Sequence, residues 1–306
     1  MMAARRLGSI DGLRGKLLQD EPMSRHTSWR VGGPADRYFE PADIGDLATF
    51  LASLPAGEPL LWIGLGSNLL VRDGGVRGTV INTSGLSALN WLGDGRLRAE
   101  AGVPCAKVAR TCARGGFTGA EFLCGIPGSL GGALAMNAGA FGGETWSIVE
   151  RAETIDRGGN LHTRTRADFS IGYREVHLPV AEEWFVAAVL TVQPDAYGGG
   201  ENRIRALLAR RAATQPTGQP SCGSVFRNPP DDFAGRLIEA AGLKGRRIGG
   251  AFVSEKHANF IITEEGACAR DLEALINLVQ DEVERRNGIR LVPEVRIVGE
   301  SRGGIA

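Results

Sequence analysis

An α+β fold in three consecutive segments is predicted by three observations. Short apolar runs alternate with amphipathic stretches through the first two thirds of the chain. Two glycine-rich loops each follow apolar residues, and a triglycine at 198–200 precedes a last third with a more helical rhythm. The longer loop is Gly125-Ile-Pro-Gly-Ser-Leu-Gly-Gly-Ala-Leu-Ala-Met-Asn-Ala-Gly-Ala-Phe-Gly142, which carries no charged side chain. Such a segment suits close backbone approach, either as a tight loop between buried elements or as a surface where main-chain N–H groups converge on an anion. The second loop, Gly64-Leu-Gly-Ser-Asn-Leu-Leu-Val-Arg-Asp-Gly-Gly75, follows the apolar Leu60-Leu-Trp-Ile63. Two such loops in one chain suggest a long phosphate-bearing cofactor.

Taken in order, residues 1–20 lack periodicity and read as a loosely attached lead-in. His26-Thr-Ser-Trp-Arg-Val-Gly-Gly33 reads as a strand with a turn. Residues 36–40 follow as a strand and residues 41–54 as an amphipathic helix: Ile44, Leu47, Ala48, Leu51 and Leu54 share a face, Pro41 fits the first turn and Pro55 stops it. Strands at 60–63 and 78–82 complete a first segment over 21–82. The second segment, 83–197, has a strand at 96–101 and a short helix at 104–114 with Ala106, Ala109 and Ala113 inward. Gly115-Gly116 stops that helix. Strands at 151–156, 161–164 and 184–192 follow the long glycine loop, with Arg157-Gly-Gly-Asn160 as a hairpin turn. The third segment, 198–306, opens with an Arg-rich helix that turns Ile204, Leu207 and Leu208 inward. It then reaches Ser221-Cys-Gly-Ser-Val-Phe-Arg-Asn-Pro229. Helices are predicted at 233–241 and 269–287; the second places Leu272, Leu275, Ile276, Val279 and Val283 on one face and ends at Gly288. Residues 289–298 alternate as a closing strand with Ile289, Leu291, Val295 and Ile297 inward.

Composition excludes several classes of function. The 306 residues hold 35 Lys plus Arg against 35 Asp plus Glu, so no global field favours nucleic acid or an anionic membrane. Any anion site is local. No window is apolar and long enough for a membrane span, and the N-terminus lacks the apolar core of a signal peptide, which points to the cytoplasm. Cys105, Cys112, Cys124, Cys222 and Cys268 include no Cys-x-x-Cys pair and form an odd set, against both a disulfide framework and a zinc site; no metal is expected. The Gly64-x-Gly66 loop fails the Rossmann test because Leu69 occupies the third glycine position and no helix can open there. No Gly-Lys-Ser/Thr is present, which excludes a Walker-type ATP site.

Chemistry-bearing residues in the second half stay ambiguous when each is read alone. Glu294 fits a solvated strand carboxylate between arginines, and Arg174, in Tyr173-Arg174, fits a surface ion pair. Ser224 either holds the turn after Gly223 or acts as a hydrolase nucleophile with His257 as base, although the Gly-x-Ser-x-Gly elbow is absent.

Together these motifs resemble those of the flavin-dependent UDP-N-acetylenolpyruvoylglucosamine reductases. The resemblance rests on His26-Thr-Ser-Trp-Arg-Val-Gly-Gly33, Gly64-Leu-Gly-Ser-Asn-Leu-Leu70, Gly119-Ala-Glu-Phe122, the loop at 125–142, Tyr173-Arg174, Gly223-Ser-Val-Phe-Arg-Asn-Pro229, Gly249-Gly-Ala-Phe-Val-Ser-Glu-Lys-His257 and Pro293-Glu294, in that order. It implies a two-lobed FAD-binding domain of the vanillyl-alcohol-oxidase type, lobes 21–82 and 83–197, followed by an α+β substrate-binding domain at 198–306. It also implies a monomer that uses NADPH and FAD to reduce an enolpyruvyl ether of UDP-N-acetylglucosamine in peptidoglycan precursor synthesis.

The same resemblance assigns roles to residues. Reduced FAD would pass hydride to the terminal carbon of the enolpyruvyl ether. Arg174 and Glu294 would polarise the substrate carboxyl group, which requires Glu294 to be protonated or to share a proton. Ser224 would protonate the other carbon, a step open to a weak acid only because the enolate is a strong base. Gly64, Gly66, Ser67, Asn68, Leu69, Gly125, Pro127, Gly128, Ser129, Gly131, Asn137 and Gly139 would hold FAD; Tyr173, Arg227 and Asn228 would hold the sugar nucleotide. Val176 stands where the family often has a serine. The short gap from Arg174 to the Gly-Ser motif matches the shorter-loop subgroup, without the family's substrate-covering tyrosine loop. An oxidase of the same fold acting on an alcohol or sugar is the alternative, with His26 or Cys124 as the flavin tether.

Overall fold

In the computed structural model, which describes residues 5–6 and 12–302, two five-stranded sheets and a smaller C-terminal layer surround a common cleft. The first sheet runs Arg5–Arg6, Lys16–Pro22, Pro34–Glu40, Val76–Asn82, Leu60–Ile63. Its central strand pairs antiparallel with Lys16–Pro22 and parallel with Val76–Asn82, which also pairs parallel with Leu60–Ile63. Side chains alternate across it as the period of two requires. Tyr38 and Val80 enter one core with Met23, Leu69 and Val71; Phe39 and Ile81 enter another with Leu47, Phe50 and Leu51 of the helix Ile44–Ser53.

Two expectations for this segment are corrected. Residues 16–20 are not a loose lead-in, because Lys16–Pro22 is hydrogen-bonded along Pro34–Glu40 and buries Leu18. The helix starts at Ile44 rather than Pro41, since Asp43 takes the N-cap and accepts a bond from Asp46 N at 2.9 Å. Asp46 in turn accepts from Arg14 N, Gly15 N and Ala42 N, which ties the incoming chain to the helix.

The second sheet is antiparallel throughout, in the order Leu161–Thr165, Val149–Asp156, Glu183–Thr191, Arg96–Glu100, Leu89–Gly93. The edge strand Leu89–Gly93 had no sequence signal, being mostly exposed. One face of the sheet packs on the helix Cys105–Arg114 and the short helix Leu130–Ala135. Cys105, Val108, Ala109 and Cys112 form the buried face of Cys105–Arg114, so Ala106 and Ala113 are only partly covered. The other face contributes Ile155 and Val186 to the core that holds Phe39 and Phe50, and Trp184 stacks on Trp62 at 4.8 Å. The two sheets therefore share apolar contact.

The triglycine at 198–200 does not separate two cores. Helix Gly200–Thr214 lays Ile204, Leu207 and Leu208 against the core of the second sheet, so a separate core begins only after it. That core joins Ala234–Ala240, Ala269–Asn287 and the small sheet Arg247–Ile248, Ala251–Val253, Ile261–Thr263. It also takes in Trp29, Val31 and Leu70 from the first segment. The closing strand is shorter than expected. Pro293 lacks the N–H a continuous ladder needs and forms an isolated bridge with Phe226, and the strand proper is Arg296–Val298, paired in parallel with Leu69–Val71. Leu291 and Val295 are nevertheless buried. All five cysteines are free, and burial pushes the thiols of Cys105 and Cys112 up to about 12.

Candidate active site

A cleft of about 660 Å³ opens where the two sheets meet the third core. Gly64, Gly66, Ser67, Asn68 and Leu69 line one wall, and Gly125, Pro127, Gly128, Ser129, Gly131 and Gly139 line the facing one. Arg174, Gly223, Ser224 and Glu294 close one end. The glycine loops meet at a distance that excludes side chains: a Cβ on Gly64 would overlap Ser129 Oγ. Gly66 adopts φ 61° against the carbonyl of His26, a conformation and an approach that only glycine tolerates. Ser129 Oγ is buried and has no hydrogen-bond partner in the protein. An uncharged cradle with an orphaned hydroxyl fits a group that brings its own acceptors, as the pyrophosphate of FAD does.

The charged end is built around a strained residue. Arg174 sits in the two-residue tip of the hairpin Ser170–Gly172, Glu175–His177 and adopts φ 57°. Its Nη2 donates to Gly139 O at 3.2 Å, and its Nε lies 3.1 Å from Glu294 Oε1 without the alignment of a hydrogen bond. Arg227 Nη2 donates to the Arg174 carbonyl at 3.4 Å. Burial pushes the Glu294 carboxyl above its ordinary range; Arg174 and then Arg227 pull it back, and burial prevails. The Glu294 backbone is fixed at both groups. Asn68 Nδ2 donates to its carbonyl at 3.0 Å, and its N–H donates to Val225 O at 2.8 Å. One glycine-loop residue therefore positions the acid directly.

Ser224 sits between Gly223, at φ 81°, and a segment clamped by Asn259. Asn259 O and Oδ1 accept from Val225 N and Phe226 N at 2.9 and 3.0 Å, and Asn259 Nδ2 donates to Phe226 O at 2.8 Å. The loop can hold its shape without the Ser224 hydroxyl. His257 does not line the cleft; its Nδ1 accepts from Asn259 N at 3.3 Å, which removes it as a base for Ser224.

Four expected contacts fall outside the lining of the cleft. Asn137 is buried and fully engaged: its Nδ2 donates to Glu144 and to Gly172 O, and its Oδ1 accepts from Trp146 N. It braces the long glycine loop. Asn228 Oδ1 accepts from Ala234 N at 3.1 Å, at the start of the helix Ala234–Ala240. Tyr173 is half exposed with the Arg174 guanidinium 5.4 Å from its ring centroid, and Arg227 stands behind Arg174. Conversely, Arg211, Gln215 and Trp184 line the cleft without any local sequence signal, since only the tertiary fold brings them there. The tethers considered for an oxidase are elsewhere. His26 is held by Glu21 and Tyr38 at 2.8 and 3.1 Å, and Cys124 is buried in the second core.

Comparison with known proteins agrees with this geometry. Residues 215–298 match the family described as "UDP-N-acetylenolpyruvoylglucosamine reductase, C-terminal domain", and residues 35–165 match the family "FAD binding domain". The chain is similar to the UDP-N-acetylenolpyruvoylglucosamine reductase of Alkalilimnicola ehrlichii, with 62% identity over 94% of this chain and 96% of that one. The corresponding protein of Methylococcus capsulatus is 60% identical over 94% and 95%. The crystal structure of the Thermus caldophilus UDP-N-acetylenolpyruvylglucosamine reductase superimposes with a TM-score of 0.80 at 31% identity, over 93% of this chain and 99% of that one. With such identity along nearly its whole length, the chain belongs to the UDP-N-acetylenolpyruvoylglucosamine reductase family.

Proposed function

We propose that this chain uses NADPH and FAD to reduce the enolpyruvyl ether of UDP-N-acetylglucosamine to UDP-N-acetylmuramate, a step in peptidoglycan precursor synthesis. The observation that carries the residue assignment is the meeting of Arg174, Glu294 and Ser224 at one end of a cleft whose walls are an uncharged glycine cradle. When bound, FAD supplies the redox centre that takes hydride from NADPH and returns it to the substrate. Gly64, Gly66, Ser67, Gly128 and Ser129 hold its pyrophosphate through main-chain N–H groups and hydroxyls. Arg174 binds the substrate carboxylate. Glu294, whose neutral form burial favours, donates its proton to the same group as negative charge develops there. Ser224 Oγ delivers the proton to the carbon next to that carboxylate.

We assign residues 21–82 and 83–214 to the two cofactor lobes and the chain from 215 to substrate binding; the packing of helix Gly200–Thr214 supports moving the boundary past it. The enzyme acts as a cytoplasmic monomer on small molecules. Among the described residues, no helix is long and apolar enough to cross a membrane.

Purified protein is expected to be yellow, to release FAD on denaturation, and to oxidise NADPH beyond the one equivalent that reduces its flavin only when the enolpyruvyl substrate is added. Both NADPH and substrate must reach the same flavin, so initial-rate plots should be parallel. A colourless protein that takes up no FAD on titration, or intersecting plots, would overturn this reading.

A further inference from the structure

Arg211, in the last turn of the helix Gly200–Thr214, is a cation without an anion. Its Nε donates to Gln215 Oε1 at 3.0 Å, and among the described residues no carboxylate pairs with it. This contrasts with Arg203 one face away, which binds both Glu121 and Asp195. A cation near a helix C-terminus normally rests in solvent, where the helix dipole supports it. Arg211 instead lies half-buried in the wall of the cleft, where burial pushes its pKa below the ordinary value. Removing a guanidinium from water without a counter-charge is costly, so the fold holds ready a site for negative charge that arrives with a ligand.

Its place in the cleft says which charge. The helix that carries it packs on the turn Glu121–Gly125, which leads into the long glycine loop. Gly125 packs against Ala140 and Phe141, and Gly139, one residue before Ala140, accepts from Arg174. Gln215 leads into Cys222 and Ser224, which line the same end. Arg211 therefore shares the cleft wall with the stretches that lead to Arg174 and Ser224, where hydride must be passed. Hydride transfer from NADPH moves two electrons and one proton onto an oxidised flavin and releases NADP⁺; without a second proton the ring keeps one negative charge. A nearby fixed cation tunes the electronics of such a ring.

We propose that Arg211, oriented by Gln215, is a positioning and tuning residue that faces the flavin ring and stabilises the charge it acquires on reduction. The inference rests on the functional reading above. In Arg211→Gln holoenzyme, the preference for reduced over oxidised FAD should fall about tenfold, a shift of about 30 mV for a two-electron couple. Arg211→Lys should keep most of that preference. The potential is read by dye equilibration, with the FAD dissociation constant and thermal melting measured alongside. An unchanged potential in Arg211→Gln overturns the proposal, as do equal shifts in the Gln and Lys variants, which would show that shape rather than charge matters. A raised KM for NADPH or for the UDP-sugar at unchanged potential also overturns it and assigns Arg211 to a phosphate of that ligand. If Arg211→Gln fails to fold, Gln215→Ala with the potential as readout takes its place, and no shift there counts against the orienting role. Wild-type protein that binds no FAD would instead defeat the functional reading itself.

Discussion

At the level of single residues, the site separates groups that hold the backbone from groups free to react. Asn259 makes the bonds that fix the Ser224 turn, so the Ser224 hydroxyl is not needed there. Ser224→Ala should therefore melt close to the parent and leave flavin reduction by NADPH intact. It should slow transfer to the enolpyruvyl substrate by a factor on the order of 10² to 10⁴ in stopped-flow measurement. Equal slowing of both half-reactions would reject its role as proton donor. Glu294 has a folded-state pKa raised by burial, so the folded protein binds that proton more tightly than the unfolded chain does. Its contribution to stability is best at pH below the ordinary carboxylate value and is lost as pH rises through the folded value. The melting temperature of Glu294→Gln minus that of the parent should accordingly rise across that window and then level off. A flat difference would mean the carboxyl is not perturbed. That Ser224, Arg174 and Glu294 belong to one cleft could be expected because each lies inside a distinctive motif. The place of Arg211 could not, since one arginine of an Arg-rich helix looks like the next until the fold buries it.

Periodicity performed well where an element packs on a single core and less well at edges and shared interfaces. The helix Ala269–Asn287 matched in both limits and buried face, with Gly288 at φ 67° as its stop. Leu89–Gly93 had no such signal because its residues face solvent at a sheet edge. Asn137 and Asn228 have roles the sequence did not show for a common reason: each side chain satisfies backbone groups that become neighbours only in the folded chain. The helix Gly200–Thr214 shows how a good element assignment can carry a wrong boundary. Its inward residues were identified, but periodicity cannot say which core they enter. Ile204→Ala should cost about 2–5 kcal/mol for a buried Ile truncation. The lost hydrogen-exchange protection should appear in Cys105–Arg114, on which the helix packs, before it appears in Ala269–Asn287. Earlier loss in Ala269–Asn287 would restore the break at the triglycine.

For the molecule as a whole, the C-terminal core is completed by residues from the opposite end of the chain. Trp29 is fully buried within it, donates from Nε1 to Ile261 O at 2.8 Å, and accepts at its own carbonyl from Thr263 Oγ1 at 2.7 Å. Leu70 enters the same core from the strand Leu69–Val71, which pairs with Arg296–Val298. The first glycine loop is thus pinned between the sheet that precedes it and the layer that carries Ser224 and Glu294. This geometry couples cofactor seat to substrate seat. A fragment beginning at residue 215 would lose Trp29, Val31 and Leu70 together and expose the strand edge at Arg296–Val298, so it should not fold alone despite matching a family's C-terminal domain. Its amide spectrum should lack dispersion. In the full chain, Trp29→Ala should destabilise by about 3–5 kcal/mol. Trp29→Phe should cost about 1–3 kcal/mol, because it leaves the buried Ile261 carbonyl without its donor. Both variants should weaken FAD retention although Trp29 lies outside the cleft lining. A C-terminal fragment with a dispersed spectrum and a cooperative melt would show that the two ends are merely adjacent and that the cofactor loop is positioned without them.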